Sequence, residues 1–251
     1  MKNILKKMEY DNFLKGKKVL ITGASSGIGQ EIAIRAARYG ANLIITGRDI
    51  PRLNKTLSML EKGNHAAIPA DLTKKEQLDN IISSIKKIDG LVHSAGITRY
   101  SPAHLISEKK FNEIININLK APIFLTSGIL RKKLINPGSS IVFLSSIATC
   151  YPYYGGSLYI SSKAAVEGYV RVLALELADK KIRVNSILPA FVETPMLDDA
   201  SNTISRDTLN QFKNILPFGF GETGDVAETV IFLLSEKSKW ITGQQIKLGV
   251  I

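Results

Sequence analysis

At 251 residues, with 45% hydrophobic and 22% charged residues, the chain has the make-up of a folded globular protein, not a disordered or fibrous one, and its length suits one undivided α/β domain spanning 1–251. No apolar run approaches the roughly 20 residues that cross a bilayer, the polar lead-in of residues 1–16 lacks a signal peptide's apolar region, and the single cysteine, Cys150, allows no internal disulfide, so a cytoplasmic protein is expected. The 33 Lys+Arg against 22 Asp+Glu, a formal charge of +11, suit an anionic cofactor or substrate; dispersed lysines without a recognised nucleic-acid motif give no reason to expect nucleic acid or membrane as a partner.

In chain order, short β-branched runs alternate with longer amphipathic ones. A strand over Lys18–Thr22 leads through ITGASSGIGQEIA into a helix over Ile28–Tyr39. A strand over Asn42–Thr46 and a helix over Pro51–Lys62 follow, then a strand over His65–Ala70 and a helix over Lys75–Lys86. The strand Gly90–Ser94 precedes helices over Glu108–Asn116 and Ala121–Leu134, and the strand Ser140–Ser145 precedes the helix Leu158–Asp179. After the strand Arg183–Leu188, the polar helical stretch 195–216 breaks the rhythm and reads as a flap; the helix Asp225–Leu234 and the strand Gln244–Leu248 close the chain. This alternation predicts a doubly wound parallel sheet of about seven strands with helices on both faces, whose ligands lie beyond the carboxyl ends of the strands.

Gly23, Gly27 and Gly29 sit where the first strand hands over to a helix. Missing side chains there let the backbone turn tightly and approach a pyrophosphate resting on the helix N-terminus. The spacing is Gly-x-x-x-Gly-x-Gly, and a plain strand-to-helix turn is the competing reading. The second strand ends Thr46-Gly47-Arg48, with glycine where an NAD-selecting site carries an acid and a planar cation beside it that suits a ribose 2′-phosphate. NADP(H) is therefore expected over NAD(H), against the alternatives that Arg48 is only solvated or that Asp49 competes for it.

Further on, Ser145-Ser146 leaves a strand, and Tyr159-x-x-x-Lys163 opens a helix with both side chains on one face. Two unit charges about 4 Å apart interact by about 4 kcal/mol at an effective dielectric of about 20. On that footing the lysine is expected to lower the phenol pKa by up to about three pH units, into the range useful for proton transfer.

Together TGASSGIG, ADLT, HSAG, ININLKAP, the serine pair, Tyr159 thirteen residues beyond Ser146, Lys163, and NSILPAFVETPM resemble the short-chain dehydrogenase/reductase family from about Lys17 to Gly249. The resemblance implies a Rossmann-type fold and a nicotinamide-dependent oxidoreductase interconverting a ketone and a secondary alcohol. It implies Tyr159 as the proton donor, Ser146 as the group polarising the carbonyl, Lys163 as the cation that tunes Tyr159 and binds the nicotinamide ribose, and Asn118 as the anchor of a relay water. It places the cofactor against Gly23, Ser25, Ser26, Gly27, Ile28 and Gly29, then Arg48, then Asp71 and Leu72, with Asp71 on the adenine amino group. Ser94, Ala95 and Gly96 follow, with Ile97 beside them, and Pro189, Val192 and Thr194 complete the set. Asp71 and Thr194 also read as helix caps, Asn118 as a structural amide and Ser145 as a spacer.

The chain departs from the family pattern at His93-Ser94, which replaces Asn-Asn and is read as a structural histidine, at Ala190 after Pro189, and in the tail Leu248-Gly249-Val250-Ile251. Thr149, Cys150, Tyr151, Tyr153, Tyr154, Phe191 and Met196 are expected to make a mostly apolar substrate wall with hydroxyl accents. The family's 3-oxoacyl-acyl-carrier-protein reductases and its sugar, polyol and hydroxysteroid dehydrogenases share these motifs; the basic balance suits an acidic carrier protein. The resemblance also implies a homotetramer or homodimer packed through the helices that follow the fourth and fifth strands. A non-enzymatic NADP(H)-binding regulator is the remaining alternative, and no metal ligand set is seen.

Overall fold

The computed structural model describes residues 12–197 and 216–250. Seven strands, β1 (Lys18–Thr22), β2 (Asn42–Gly47), β3 (Ala66–Pro69), β4 (Ile88–His93), β5 (Ile135–Leu144), β6 (Arg183–Pro189) and β7 (Gln245–Leu248), form one sheet in the order β3-β2-β1-β4-β5-β6-β7. Every pairing is parallel. The helices between them are α1 (Gly27–Arg38), α2 (Ile50–Met59), α3 (Lys75–Ser84), α4 (Glu108–Ile115), α5 (Ala121–Arg131), α6 (Ser157–Glu176) and α7 (Thr223–Leu234). This is the doubly wound α/β architecture the alternation predicts. The N-terminal extension lies largely, and the stretch 195–216 mostly, outside the described residues.

A sheet covered on both faces needs apolar side chains in both directions, which is why Val19-Leu20-Ile21 of β1, Leu91-Val92 of β4 and Ile187-Leu188 of β6 are successive buried apolar residues without alternation. Along β1, Val19 and Ile21 enter the core beneath α1 and α7, while Leu20 enters the opposite core with Leu125 and Ile129 of α5 and Val170 of α6. The strand order reverses direction at β1, between β2 and β4, and the crevice opens there at the carboxyl edge. One hydroxyl joins the two strand ends: Thr22 Oγ1 accepts from the backbone N–H groups of Ser94 (3.1 Å) and Ala95 (3.2 Å) and donates to the Val92 carbonyl (3.3 Å).

Two elements depart most from the sequence expectation. Helices α4 and α5 are joined through a π-helical stretch, Asn116–Lys120, where one inserted residue widens the turn and rotates Asn118 inward. Strand β5 begins at Ile135 instead of Ser140, because Ile135 pairs with Ile88 ahead of a register shift that precedes Gly90 and Ser140.

Candidate active site

The carboxyl ends of β1, β2, β4, β5 and β6 surround a cleft floored by the loop from Gly23 to Gly29. Gly23 has φ +69°, and a Cβ on it would stand 2.7 Å from the backbone of Ala95, so only glycine lets the two loops touch. Gly29 packs equally hard on the Gly23 carbonyl. Ser26 precedes α1 in extended conformation with no side-chain capping bond, and the first turn carries no acid, so the N–H groups there face the cleft with positive potential. This cradle, which side chains would fill, fits a dinucleotide pyrophosphate.

Ser25, Ser26, Ile28, Arg48, Leu72, Ser94, Ala95, Gly96, Pro189 and Thr194 all line the cleft as expected. Arg48 is exposed at its rim, while Asp49 caps α2 through the Arg52 N–H (2.9 Å) and pairs with the Arg52 guanidinium (3.4 Å). The acid is thus engaged away from Arg48. Two residues expected at the cofactor are not among the cleft lining. Asp71 stands between the lining residues Ala70 and Leu72, and its Oδ1 accepts from the Thr73 N–H (3.0 Å) and hydroxyl (2.7 Å). Burial raises its carboxyl, but the Thr73 bonds outweigh it and hold the group below its ordinary value. Val192 lines the neighbouring cavity, where it bridges to Gly221, instead of the cleft.

At the inner end Ser146, Tyr159 and Lys163 converge. Ser146 and Tyr159 are hydrogen-bonded to each other, and the Lys163 Nζ lies 5.8 Å from the Tyr159 ring centroid. The Lys163 ammonium donates to the Leu144 carbonyl at the end of β5 (2.8 Å). The expected fall in the phenol pKa is reversed here: Tyr159 keeps some open surface toward the cleft, yet the packing around its oxygen pushes it up to about 12, against the opposing Ser146 bond. Burial likewise brings Lys163 down to about 8, opposed by the negative charge of Glu167. The reversal arises because a Coulomb estimate from spacing omits desolvation, which here is the larger effect on both groups.

Asn118 does not line the cleft. Its Oδ1 accepts from the Ile97 N–H (2.8 Å), and its Nδ2 donates to the Ile97 carbonyl (2.9 Å) and the Ser162 hydroxyl (3.0 Å). The side chain thus pins the Gly96–Ile97 loop to α6. His93 is fully buried, stacked on Phe143 at 4.5 Å and bonded through Nε2 to the Thr126 hydroxyl (2.8 Å), with its pKa driven down to about 3 by burial. It is a neutral structural histidine. Ser145, read as a spacer, donates instead to the buried Glu167 carboxylate at 2.6 Å.

A second cavity of about 300 Å³ adjoins the cleft and shares Ser145, Tyr159, Pro189 and Thr194 with it. Ser146, Tyr151, Tyr153, Phe191 and Met196 line it as expected. Cys150, Thr149 and Tyr154 do not: Cys150 is exposed, the Thr149 hydroxyl donates to the Ser146 carbonyl (2.9 Å), and Tyr154 leans outward on Tyr100. Thr98, hydrogen-bonded to the buried Tyr153 phenol, and Val250 in the tail also line it without having been singled out. Both lie far in sequence from the serine–tyrosine segment, so no local spacing marks them.

Fold, crevice and clustered side chains define a nucleotide-binding oxidoreductase architecture. Residues 23–248 match the family model described as enoyl-(acyl carrier protein) reductase. The chain is 37% identical over 237 residues to the 3-oxoacyl-[acyl-carrier-protein] reductase FabG of Rickettsia felis, covering 94% of this chain and 96% of that one. It is 34% identical over 241 residues to the enzyme of the same name from Thermotoga maritima, with 93% and 96% covered. A solved short-chain dehydrogenase/reductase of Brucella melitensis, described as a glucose/ribitol dehydrogenase, superposes with a TM-score of 0.86 at 30% identity, covering 94% of this chain and 96% of that one. The chain belongs to the short-chain dehydrogenase/reductase family of oxidoreductases.

Proposed function

We propose that the protein is an NADP(H)-dependent reductase that interconverts a ketone and a secondary alcohol, acting on 3-oxoacyl groups carried by an acyl carrier protein. The observation that carries this reading is the meeting of Ser146, which lines the cavity, and Lys163, which lines the cleft, at Tyr159, which lines both.

A bound nicotinamide supplies the hydride. Tyr159 gives its phenolic proton to the substrate oxygen; a pKa near 12 keeps that proton in place at neutral pH, which suits an acid in the reducing direction. Ser146 orients the same oxygen by hydrogen bonding. Lys163, charged below about pH 8, stabilises the phenolate left on Tyr159 and reaches the nicotinamide ribose. Asn118 acts by holding the loop that faces the lysine, since a Cβ on Gly96 would lie 3.2 Å from Asn118 Oδ1 and 3.3 Å from Lys163 Nζ.

Preference for NADP(H) is supported by Arg48, exposed at the rim beside an Asp49 that is turned to Arg52, and by Ser25 Oγ, 3.0 Å from where a Gly47 Cβ would lie, which disfavours an acid at that position. The apolar wall that Ile147, Ala148, Phe191, Leu197 and Leu216 give the cavity supports an acyl chain as substrate. The relatives' carrier-protein substrate and the chain's +11 charge support an acidic carrier as partner. Assembly as a homodimer or homotetramer is supported by Phe124 on α5 and Val172 and Leu175 on α6, large apolar side chains left 55–78% exposed. The test is NADPH oxidation with a 3-oxoacyl thioester: wild-type protein turns over, and Tyr159→Phe loses turnover at least about 100-fold, in the usual range for a general acid, while still binding NADPH. Retained turnover in Tyr159→Phe refutes the assignment.

A further inference from the structure

Burying a carboxyl group is costly unless it is hydrogen-bonded or meets a compensating charge. Glu167 stands on the buried face of α6 among Val166, Val170 and Leu173, with 7% of its surface exposed. It enters no ion pair among the described residues. Its one recorded partner is the Ser145 hydroxyl at 2.6 Å, on the residue directly before Ser146. It also lies one helical turn beyond Lys163, just as Lys163 lies one turn beyond Tyr159, so the three occupy one stripe of the helix.

We propose that Glu167 is a positioning residue of this site: through Ser145 it fixes the turn that presents Ser146, and through its negative charge it keeps the buried Lys163 an ammonium. The inference rests on the reductase reading for its purpose but not for its geometry. Ser145 is buried and lines both cleft and cavity, with its N–H donating to the Ile187 carbonyl (2.8 Å) and its hydroxyl to Glu167, so main chain and side chain both tie the turn. Lys163 meets Leu144 O on β5 and the Tyr159 ring on its own helix, and the loop at Gly96, where a Cβ would lie 3.3 Å from Lys163 Nζ and 3.2 Å from the neutral Asn118 amide oxygen, closes its other side. Among the described residues Glu167 is thus the acid whose charge favours the charged lysine, against the desolvation that discharges it.

The test separates charge from hydrogen bond. Lysine side-chain nitrogen resonances are titrated by NMR in the full chain without ligand, Lys163→Met assigning the signal. Glu167→Gln keeps an acceptor for Ser145 but loses the charge, and the Lys163 midpoint falls by about one pH unit or more. Glu167→Asp and Ser145→Ala keep the charge and hold the wild-type midpoint, while Ser145→Ala lowers kcat for ketone reduction. In Glu167→Gln the alkaline limb of kcat against pH moves to lower pH by the same amount as the midpoint. An unmoved midpoint in Glu167→Gln, or equal falls in the Gln and Asp variants, overturns the proposal. Since the NMR titration needs neither cofactor nor ketone, its failure is distinct from failure of the reductase reading, which shows as wild-type protein unable to oxidise NADPH with any ketone.

Discussion

Replacing Arg48 by alanine removes the one cation at the end of β2 that the cleft presents to an adenosine ribose. The guanidinium is exposed and Asp49 is engaged with Arg52, so little internal structure is disturbed by its loss. A hydrogen bond to a charged group contributes about 1.5–3 kcal/mol, and solvent exposure places this one at the lower end. At about 1.4 kcal/mol per decade the loss corresponds to roughly a 10- to 30-fold rise in the NADPH dissociation constant. NADH, lacking the 2′-phosphate, should change by less than about two-fold on the same reasoning. Fluorescence titration of both cofactors with wild-type and variant protein measures the two ratios, and repeating it at higher salt should narrow the NADPH difference. A variant that weakens both cofactors alike, or neither, refutes the part assigned to Arg48.

Acidification should destabilise the protein through His93. Its folded-state pKa of about 3 lies below the ordinary 6.5, so the unfolded chain binds the extra proton between those values. The stabilisation is present above pH 6.5 and is lost as pH falls toward 3, by about 3 kcal/mol between pH 7 and pH 4. Urea unfolding across that range should show the loss for wild-type protein and a smaller one for His93→Asn; equal slopes would refute it. Arg183, buried beneath the end of α7, donates to the Leu233 carbonyl (2.7 Å), the Ser238 hydroxyl (2.7 Å) and the Ser235 carbonyl (3.1 Å). Arg183→Leu should cost about 1.5–3 kcal/mol by removing these charge-assisted bonds, although the Leu233 and Ser235 carbonyls keep bonds from Ser140 and Ser238; the loss is seen as a lowered Tm, with a change below about 1 kcal/mol contradicting the account.

The sheet was legible because both its faces are covered: successive apolar residues such as Val19-Leu20-Ile21 in β1 and Ile141-Val142-Phe143-Leu144 in β5 stand where the strands fall, while β6 is buried along its length although Asn185 and Ser186 interrupt its apolar run. Helix ends were less legible. Helix α5 stops at Arg131 because Lys133 turns to φ +53°, although the apolar pattern continues to Leu134. A periodicity of 3.6 cannot register a π-helical insertion, so Asn116–Lys120 read as a break between helices. In the site, Tyr159 and Lys163 were legible from one helical step, and the same step repeated leads to Glu167. What spacing withheld was the local competition for each polar atom: the Thr149 hydroxyl goes to the Ser146 carbonyl, and one oxygen of Asp71 goes to Thr73. Desolvation of Tyr159 was equally invisible, since it depends on residues gathered from several strands.

The hydroxyl of Thr22 binds together the two backbone loops that form the floor of the crevice, and Gly23 lets them lie in contact. A receptor whose floor is braced in advance has few conformations to surrender when it is occupied, so the entropic penalty of association rests mainly with the incoming molecule. Severing that brace, with Thr22→Val as its simplest form, would therefore loosen capture without removing any group that touches the guest.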